Sequence, residues 1–388
     1  MQWSRYAVEP GTRLIHIGPH KTGTTAIQGS FHAARERLAD SDVVYAGKGR
    51  QPVAGVNAAL ERGSPWGVPA PPPAAWQDLK WEINKAGDAG KRVVLSSERL
   101  ANANPAQAAR IVDALGGEAV RIVVTLRPLA YLLPSAWQQW AQDGLHHTYS
   151  EWLNGLLHPP YEMTPVFWKW HTHDALVERW ADVVGLENVT VIALDPNNRE
   201  MLFRAFEGLL DLPSGVLQPD PESNINRSLS YGEVELSRRL LDVFKEFGWS
   251  GELYRRLIHH GGISQLKRSA PPCPPDQKVV TPRWAAERAA AIGADAAKKL
   301  EASNVRVIGD LAHLTSVPPD LPDEITEPEP MIRSEAAVQT IVGVVQNSGL
   351  LQRKGRLVSR TSSRALVKVL LRRARRRVVR QLRALRWK

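Results

Sequence analysis

Short runs of consecutive apolar residues alternate along this chain with stretches whose apolar positions recur every three or four residues. That is the rhythm of strands buried on both faces and separated by amphipathic helices. The runs are Leu14-Ile15 with Ile17, Val43-Val44-Tyr45, Val93-Val94-Leu95, Val120 to Leu126, the strand end of Trp180 to Asp195, and Val305 to Ile308. Between them, Thr24 to Leu38 carries Ile27, Phe31, Ala34 and Leu38 at helical spacing, and Trp76 to Ala89, Pro105 to Leu115 and Pro282 to Leu300 read as further helices. Asn104 is placed to cap the helix that Pro105 opens. The pattern predicts an α/β domain of three layers around a central, mostly parallel sheet of about five strands, followed by a helical C-terminal extension. Arg62 to Trp76 is too rich in Pro and Gly for a helix and reads as a surface excursion, ahead of a flap over a substrate.

The candidate chemistry begins where the first strand ends. In Arg13 to Gln28, RLIHIGPHKTGTTAIQ, a strand runs into Gly18, then through Pro19-His20-Lys21 to Gly23 and a Thr24-Thr25 pair that opens a helix. The first N–H groups of a helix have no partner within it, and they carry the positive end of its dipole, so an anion can sit there. Gly23 allows close approach, Thr22, Thr24 and Thr25 add hydroxyls, and Lys21 adds a mobile charge. The layout is that of a P-loop-type fold, but the loop is not a Walker A motif. There a Lys follows the second Gly, whereas here Lys21 precedes Gly23 and Thr24 stands where the Lys would be.

The pattern G-x-x-K-x-G-T-T resembles the 5′-phosphosulfate loop of sulfotransferases that use PAPS (3′-phosphoadenosine 5′-phosphosulfate), and HIGPHKTGTT is similar to its bacterial form. A second segment continues the resemblance: the β-branched strand Val120 to Leu126, then Arg127-Pro128, then a helix carrying Ser135 about two turns on. In the family an Arg after this strand and a Ser on the next helix hold the 3′-phosphate. A guanidinium fork and a hydroxyl suit a terminal phosphate. Trp180 to Asp195 resembles the helix–Gly–strand unit that completes the sheet, and Asn226 to Ser230 resembles an N-x-S-L-S segment of bacterial members. The likeness runs from about Arg13 to Asp310. Cytosolic members also carry an Arg-Lys-Gly motif near the end, and the adenine-holding residues are left unassigned here.

The resemblance implies Lys21, Thr22, Gly23, Thr24, Thr25, Arg127 and Ser135 as donor-binding residues, with Lys21 also stabilising charge as the S–O bond breaks. No metal is expected. For a base, Glu98 is the first choice, since it follows a strand at the sheet edge where α/β folds bind ligands, and burial would raise its pKa toward neutrality. His20 is the second choice. Trp137, Trp140, Trp152, Trp168, Trp170 and Trp180 read as helix packing ahead of stacking platforms for an acceptor. His146-His147 and His171-x-His173 read as solvated or capping histidines.

Charge changes the picture at one end only. The net charge is +10, but residues 353–388 hold fifteen Lys or Arg and no acid, so the remainder carries 10 − 15 = −5. A nucleic-acid-binding body therefore loses its main support. Val367, Leu371, Ala374, Val378, Leu382 and Leu385 form one stripe among the arginines, the pattern of an amphipathic helix on an anionic membrane face. One cysteine, Cys273, excludes an internal disulfide, and no signal pattern opens the chain. The expected location is the cytoplasm, peripheral on the inner membrane face. The expected domains are a catalytic unit over 1–315, a Pro-rich acidic linker over 316–335 and a helical extension over 336–388. The function implied is sulfuryl transfer from PAPS to a hydroxyl or amine of a saccharide, glycolipid or small metabolite. The rival readings are a P-loop kinase or nucleotidase, and a non-catalytic membrane or polyanion adaptor acting through the tail.

Overall fold

The computed structural model describes residues 4–63, 68–161, 163–220, 227–325 and 327–349. Six strands form one sheet: β1 (Arg13–His16), β2 (Val43–Tyr45), β3 (Arg92–Ser96), β4 (Val120–Leu126), β5 (Val189–Ala193) and β6 (Arg306–Gly309). Their order is β2-β3-β1-β4-β5-β6, and every neighbouring pair is parallel. The chain thus goes from β1 to the edge at β2, returns to β3 beside β1, and then crosses to β4 and builds outward on the other side. The ends of β1, β3 and β4 meet at that reversal, where open α/β sheets form their ligand crevice.

Alternation along the strands fills two cores. Ile15, Val93, Leu95, Ile122, Val124 and Val191 face one side, against residues of helices Ala74–Asp88, Pro105–Ala114 and His173–Val184 such as Ile83, Ile111 and Trp180. Leu14, Val94, Val123 and Ile192 face the other, against Phe31 of helix Thr24–Ala33 and Phe206 of helix Met201–Leu209. Both faces are covered, which is why the strands read as unbroken apolar runs rather than alternating ones. The expected helix from Thr24 to Leu38 is interrupted at Ala34 and resumes as Arg35–Ala39. Asn104 caps its helix as expected, in a capping box with Gln107.

By packing, the described residues form two compact units, those of 4–252 with 271–332 and those of 253–270 with 333–349. Within the first, the acidic Pro-rich segment is tied down: Arg283 Nε donates to Asp323 at 2.9 Å and Tyr231 to Glu327 at 3.0 Å. Within the second, helix Ser334–Asn347 crosses the π-helical segment Arg255–Ile263 so closely that a side chain on Gly343 would collide with the Gly261 carbonyl. No helix of the described residues is long and apolar enough to cross a membrane. The basic stripe of 353–388 lies outside the described residues.

Candidate active site at the ends of β1, β3 and β4

The loop after β1 is held in an uncommon backbone conformation. Lys21 has φ 70° and Gly23 has φ 86°, both left-handed, and for a side chain as long as lysine that region is rarely populated. Gly23 needs its missing side chain twice over, since a Cβ there would also press on Leu202 at 2.9 Å. Helix Thr24–Ala33 begins directly after Gly23, and no side chain caps it, so its first N–H groups stay available. Thr24 is buried and Thr25 is exposed.

Beneath the loop runs a directed line of hydrogen bonds. Thr22 Oγ1 donates to the Pro19 carbonyl at 2.8 Å, so it accepts from Thr125 Oγ1 at 2.9 Å. Thr125 must then accept from His16 Nε2 at 3.1 Å, which leaves His16 Nδ1 to accept from Ser96 Oγ at 2.8 Å. Ser96 in turn accepts from Gln28 Nε2 at 3.2 Å. The directions require a neutral His16 protonated on Nε2. Burial agrees, lowering its pKa to about 4 against a small opposing pull from Glu98. Gly18 is packed into this line, and a Cβ on it would collide with Thr125 Oγ1 and His16.

Glu98 begins the turn that follows β3. Its Oε2 accepts from Gln28 Nε2 at 3.1 Å and its Oε1 from Gln51 Nε2 at 3.3 Å, while Gln51 also donates to Gln28 Oε1 at 2.6 Å. This reverses the expectation of a raised pKa. Burial alone would raise the carboxyl, but His20 beside it, the Gln28 donor and Arg99 outweigh burial and hold it below the ordinary range. His20 lies against Trp170 with ring centroids 4.3 Å apart, and burial lowers its pKa to about 4 with Glu98 opposing. Burial also lowers Lys21, with Asp143 and Glu98 opposing.

From the other side, Arg127 Nη1 donates to the Lys21 carbonyl at 3.3 Å. Burial lowers Arg127, and Arg199 nearby adds to that while Tyr131 opposes it. Lys21, His20, Glu98 and Arg127 are therefore brought together with Thr22 to Thr25. Ser135 is not joined to them by a hydrogen bond among the described residues: its hydroxyl donates back to Leu132 of its own helix at 2.9 Å.

Residues the sequence did not single out also belong here. His16 is the polar residue that ends β1 after Leu14 and Ile15, and its register partner Ser96 and its hydrogen-bond partner Thr125 are polar too, a signal legible only once the pairing is known. Gln28, Gln51 and Asp143 carry no local signal. The tryptophans divide. Trp137, Trp152 and Trp180 are fully buried, whereas Trp140 and Trp170 are half-buried and stack at 5.6 Å, with Trp170 under His20. His171 and His173 are buried, not solvated as expected, and burial lowers both. An Arg-Lys-Gly triplet does occur in the chain, at Arg353-Lys354-Gly355, and it too lies outside the described residues, as does Asn226. A surface hollow of about 550 Å³ flanks helix Ala74–Asp88 around Trp81, and it contains none of these residues.

No protein-family model and no curated protein matches the chain. Among solved structures, the chain is similar to the crystal structure of a sulfotransferase from Alicyclobacillus acidocaldarius, at 17% identity and a TM-score of 0.37, covering 64% of this chain and 100% of that one. A likeness of that size bears on neither donor nor acceptor.

Proposed function

We propose that the chain is a sulfotransferase that uses PAPS as donor. The observation that carries this reading is the bond from Arg127 to the carbonyl of Lys21, which holds the two segments that resemble PAPS-binding motifs at one sheet edge. In this reading the 5′-phosphosulfate lies over Lys21 to Thr25 and the helix that Thr24 opens, and the 3′-phosphate lies toward Arg127. Ser135 joins only if its hydroxyl leaves Leu132.

The acceptor oxygen attacks sulfur in line, an O–S bond forms, and the S–O bond to the 5′-phosphate breaks with its electron pair going to the departing adenosine bisphosphate. Lys21 and the helix N-terminus meet the charge that builds there, which is electrostatic stabilisation set in place before the reaction. The acceptor proton goes to His20 or Glu98. Both oxygens of Glu98 are engaged by glutamines, whereas neither ring nitrogen of the neutral His20 has a hydrogen-bond partner among the described residues, which favours His20 as the base.

The test is transfer of radiolabelled sulfate from PAPS into a host lipid and metabolite extract. Labelled product that disappears in Lys21→Ala supports the reading. Phosphate transfer from ATP that requires magnesium would replace it with a kinase. The basic residues 353–388 add an anionic membrane surface as partner. Binding to phosphatidylglycerol vesicles should weaken with salt, and equal binding to neutral vesicles would remove that partner.

A further inference from the structure

Elsewhere in the chain, half-buried arginines are tied to acceptors. Arg35 reaches the carbonyls of Tyr45, Gly47 and Gly49. Arg179 reaches those of Ala101, Ala103 and Lys169, and Arg227 forks onto Glu233 at 2.7 and 2.8 Å. Two arginines beside His20 break this habit. Arg99 follows Glu98 in the turn after β3, and Arg62 follows helix Val53–Ala59. Both are half-buried, and among the described residues neither guanidinium forms a hydrogen bond or an ion pair. Arg99 Nε is wholly shielded from solvent with no partner.

The two lie close enough that Arg99 adds to the burial that lowers Arg62, and both act on His20. The neighbouring carboxylate of Glu98 acts on Arg99 electrostatically, but among the described residues it forms no ion pair with either guanidinium and accepts from Gln28 and Gln51 instead. An aromatic wall stands alongside: Trp170 Nε1 is fixed to Asn102 Oδ1 of the same turn at 2.9 Å, and the Trp170 ring lies against His20. Lys169 donates to the Asn102 carbonyl at 2.7 Å and adds a third cation. Gathering Arg62, Arg99 and Lys169 in a partly desolvated place around the single carboxylate of Glu98 is costly unless a ligand supplies further counter-charge.

We propose that the acceptor carries an anionic oxyacid group of its own, received by Arg62 and Arg99 beside the wall that Trp170 forms. The proposal rests on the sulfotransferase reading and narrows its acceptor to one already bearing a carboxylate, sulfate or phosphate. Arg62 and Arg99 lie with Glu98 and His20 on the β3 side of Lys21, apart from the bond that Arg127 makes. An anion seated there would present its hydroxyl toward His20 rather than compete for the donor's phosphates.

The experiment is calorimetric titration of the full chain with two small phenols of equal shape, 4-hydroxybenzoate and 4-hydroxybenzyl alcohol, with and without 3′,5′-adenosine bisphosphate. The benzoate is expected to bind about tenfold tighter or more, the factor that one charge-assisted hydrogen bond is worth. The double variant Arg62→Gln/Arg99→Gln should erase that preference without changing the melting temperature or the affinity for the bisphosphate. Equal affinities, no benzoate binding, or a preference that survives in the double variant would each overturn the proposal. Loss of bisphosphate binding with the benzoate preference intact would instead remove the donor reading and leave the anion site standing.

Discussion

The two strands that flank β1 deliver their functional residues in opposite conditions. On the β3 side Glu98 arrives already engaged, with each carboxylate oxygen accepting from a glutamine. On the β4 side Arg127 arrives with a single hydrogen bond among the described residues, to the Lys21 carbonyl. A group whose bonds are already made serves to position its neighbours. A group with four N–H donors to spare is ready for a ligand. Lys21 stands between them, drawn electrostatically by Glu98 and Asp143 and pinned at its carbonyl by Arg127. Under the proposed function the β3 side serves as scaffold and acceptor wall, and the β4 side as an anion clamp.

Removing the central charge should have the largest effect because both sides depend on it. Lys21→Ala is expected to lower sulfuryl transfer by about a thousandfold, the upper range for losing one preorganised electrostatic group, with the fold intact by circular dichroism. Near wild-type turnover in the purified variant would end the comparison, since the loop would then have no chemical centre.

Acid should act next, through the line that couples the two sides. His16, kept neutral by burial, joins Ser96 of β3 to Thr125 of β4. Its folded pKa of about 4 lies below the unfolded value of 6.5, so the unfolded chain binds the proton more readily. The stability that neutral His16 contributes is complete above pH 6.5 and is lost as pH falls toward 4. His173 has the same sign and window. Each such group contributes at most about 3 kcal/mol at neutral pH by proton linkage. Denaturant melts across that interval should show the loss, and His16→Asn should flatten part of it. An unchanged profile in that variant would mean that His16 does not carry the coupling.

Much of this was legible from local pattern, and what was not has one physical cause. Every strand was visible because a sheet covered on both faces leaves an apolar run. The loop was visible because Gly18, Lys21, Gly23 and Thr24 are consecutive signals. The His16 line, the glutamines on Glu98 and the contact of Trp170 with His20 were not, because their partners are 70 or more residues apart or carry no distinctive type. Glu98 shows the limit most plainly. Its strand-end position was readable, but the sign of its pKa shift was decided by His20, Gln28 and Arg99 around it, an assembly that no spacing rule selects. Ser135 was likewise readable by position, while its hydroxyl turned to its own helix.

The β4 side can be tested separately from catalysis. Arg127→Ala should weaken 3′,5′-adenosine bisphosphate binding about tenfold to a hundredfold, the worth of one charged hydrogen-bonding group, and should change kcat less than KM. The opposite split, with kcat lost and affinity kept, would move Arg127 from clamp to reacting centre.

The β3 side yields the smallest effect and the finest distinction. Gln51→Ala removes a donor that favours the ionised form of Glu98, so the carboxyl pKa should rise by about half a unit to one unit, as a hydrogen bond of about 1 kcal/mol implies. If Glu98 takes the acceptor proton, the acid limb of kcat/KM must move to higher pH by that amount, because the carboxylate is protonated sooner as pH falls. If His20 takes it, freeing one oxygen of Glu98 leaves the limb in place to within the small change in field. The proposed assignment to His20 predicts a stationary limb in Gln51→Ala and a displaced one in Trp170→Leu, where the imidazole loses the aromatic wall that shields it and its pKa rises toward 6.5. A limb that follows Gln51 and ignores Trp170 would return the base to Glu98 and make the engaged side of the site the reacting one.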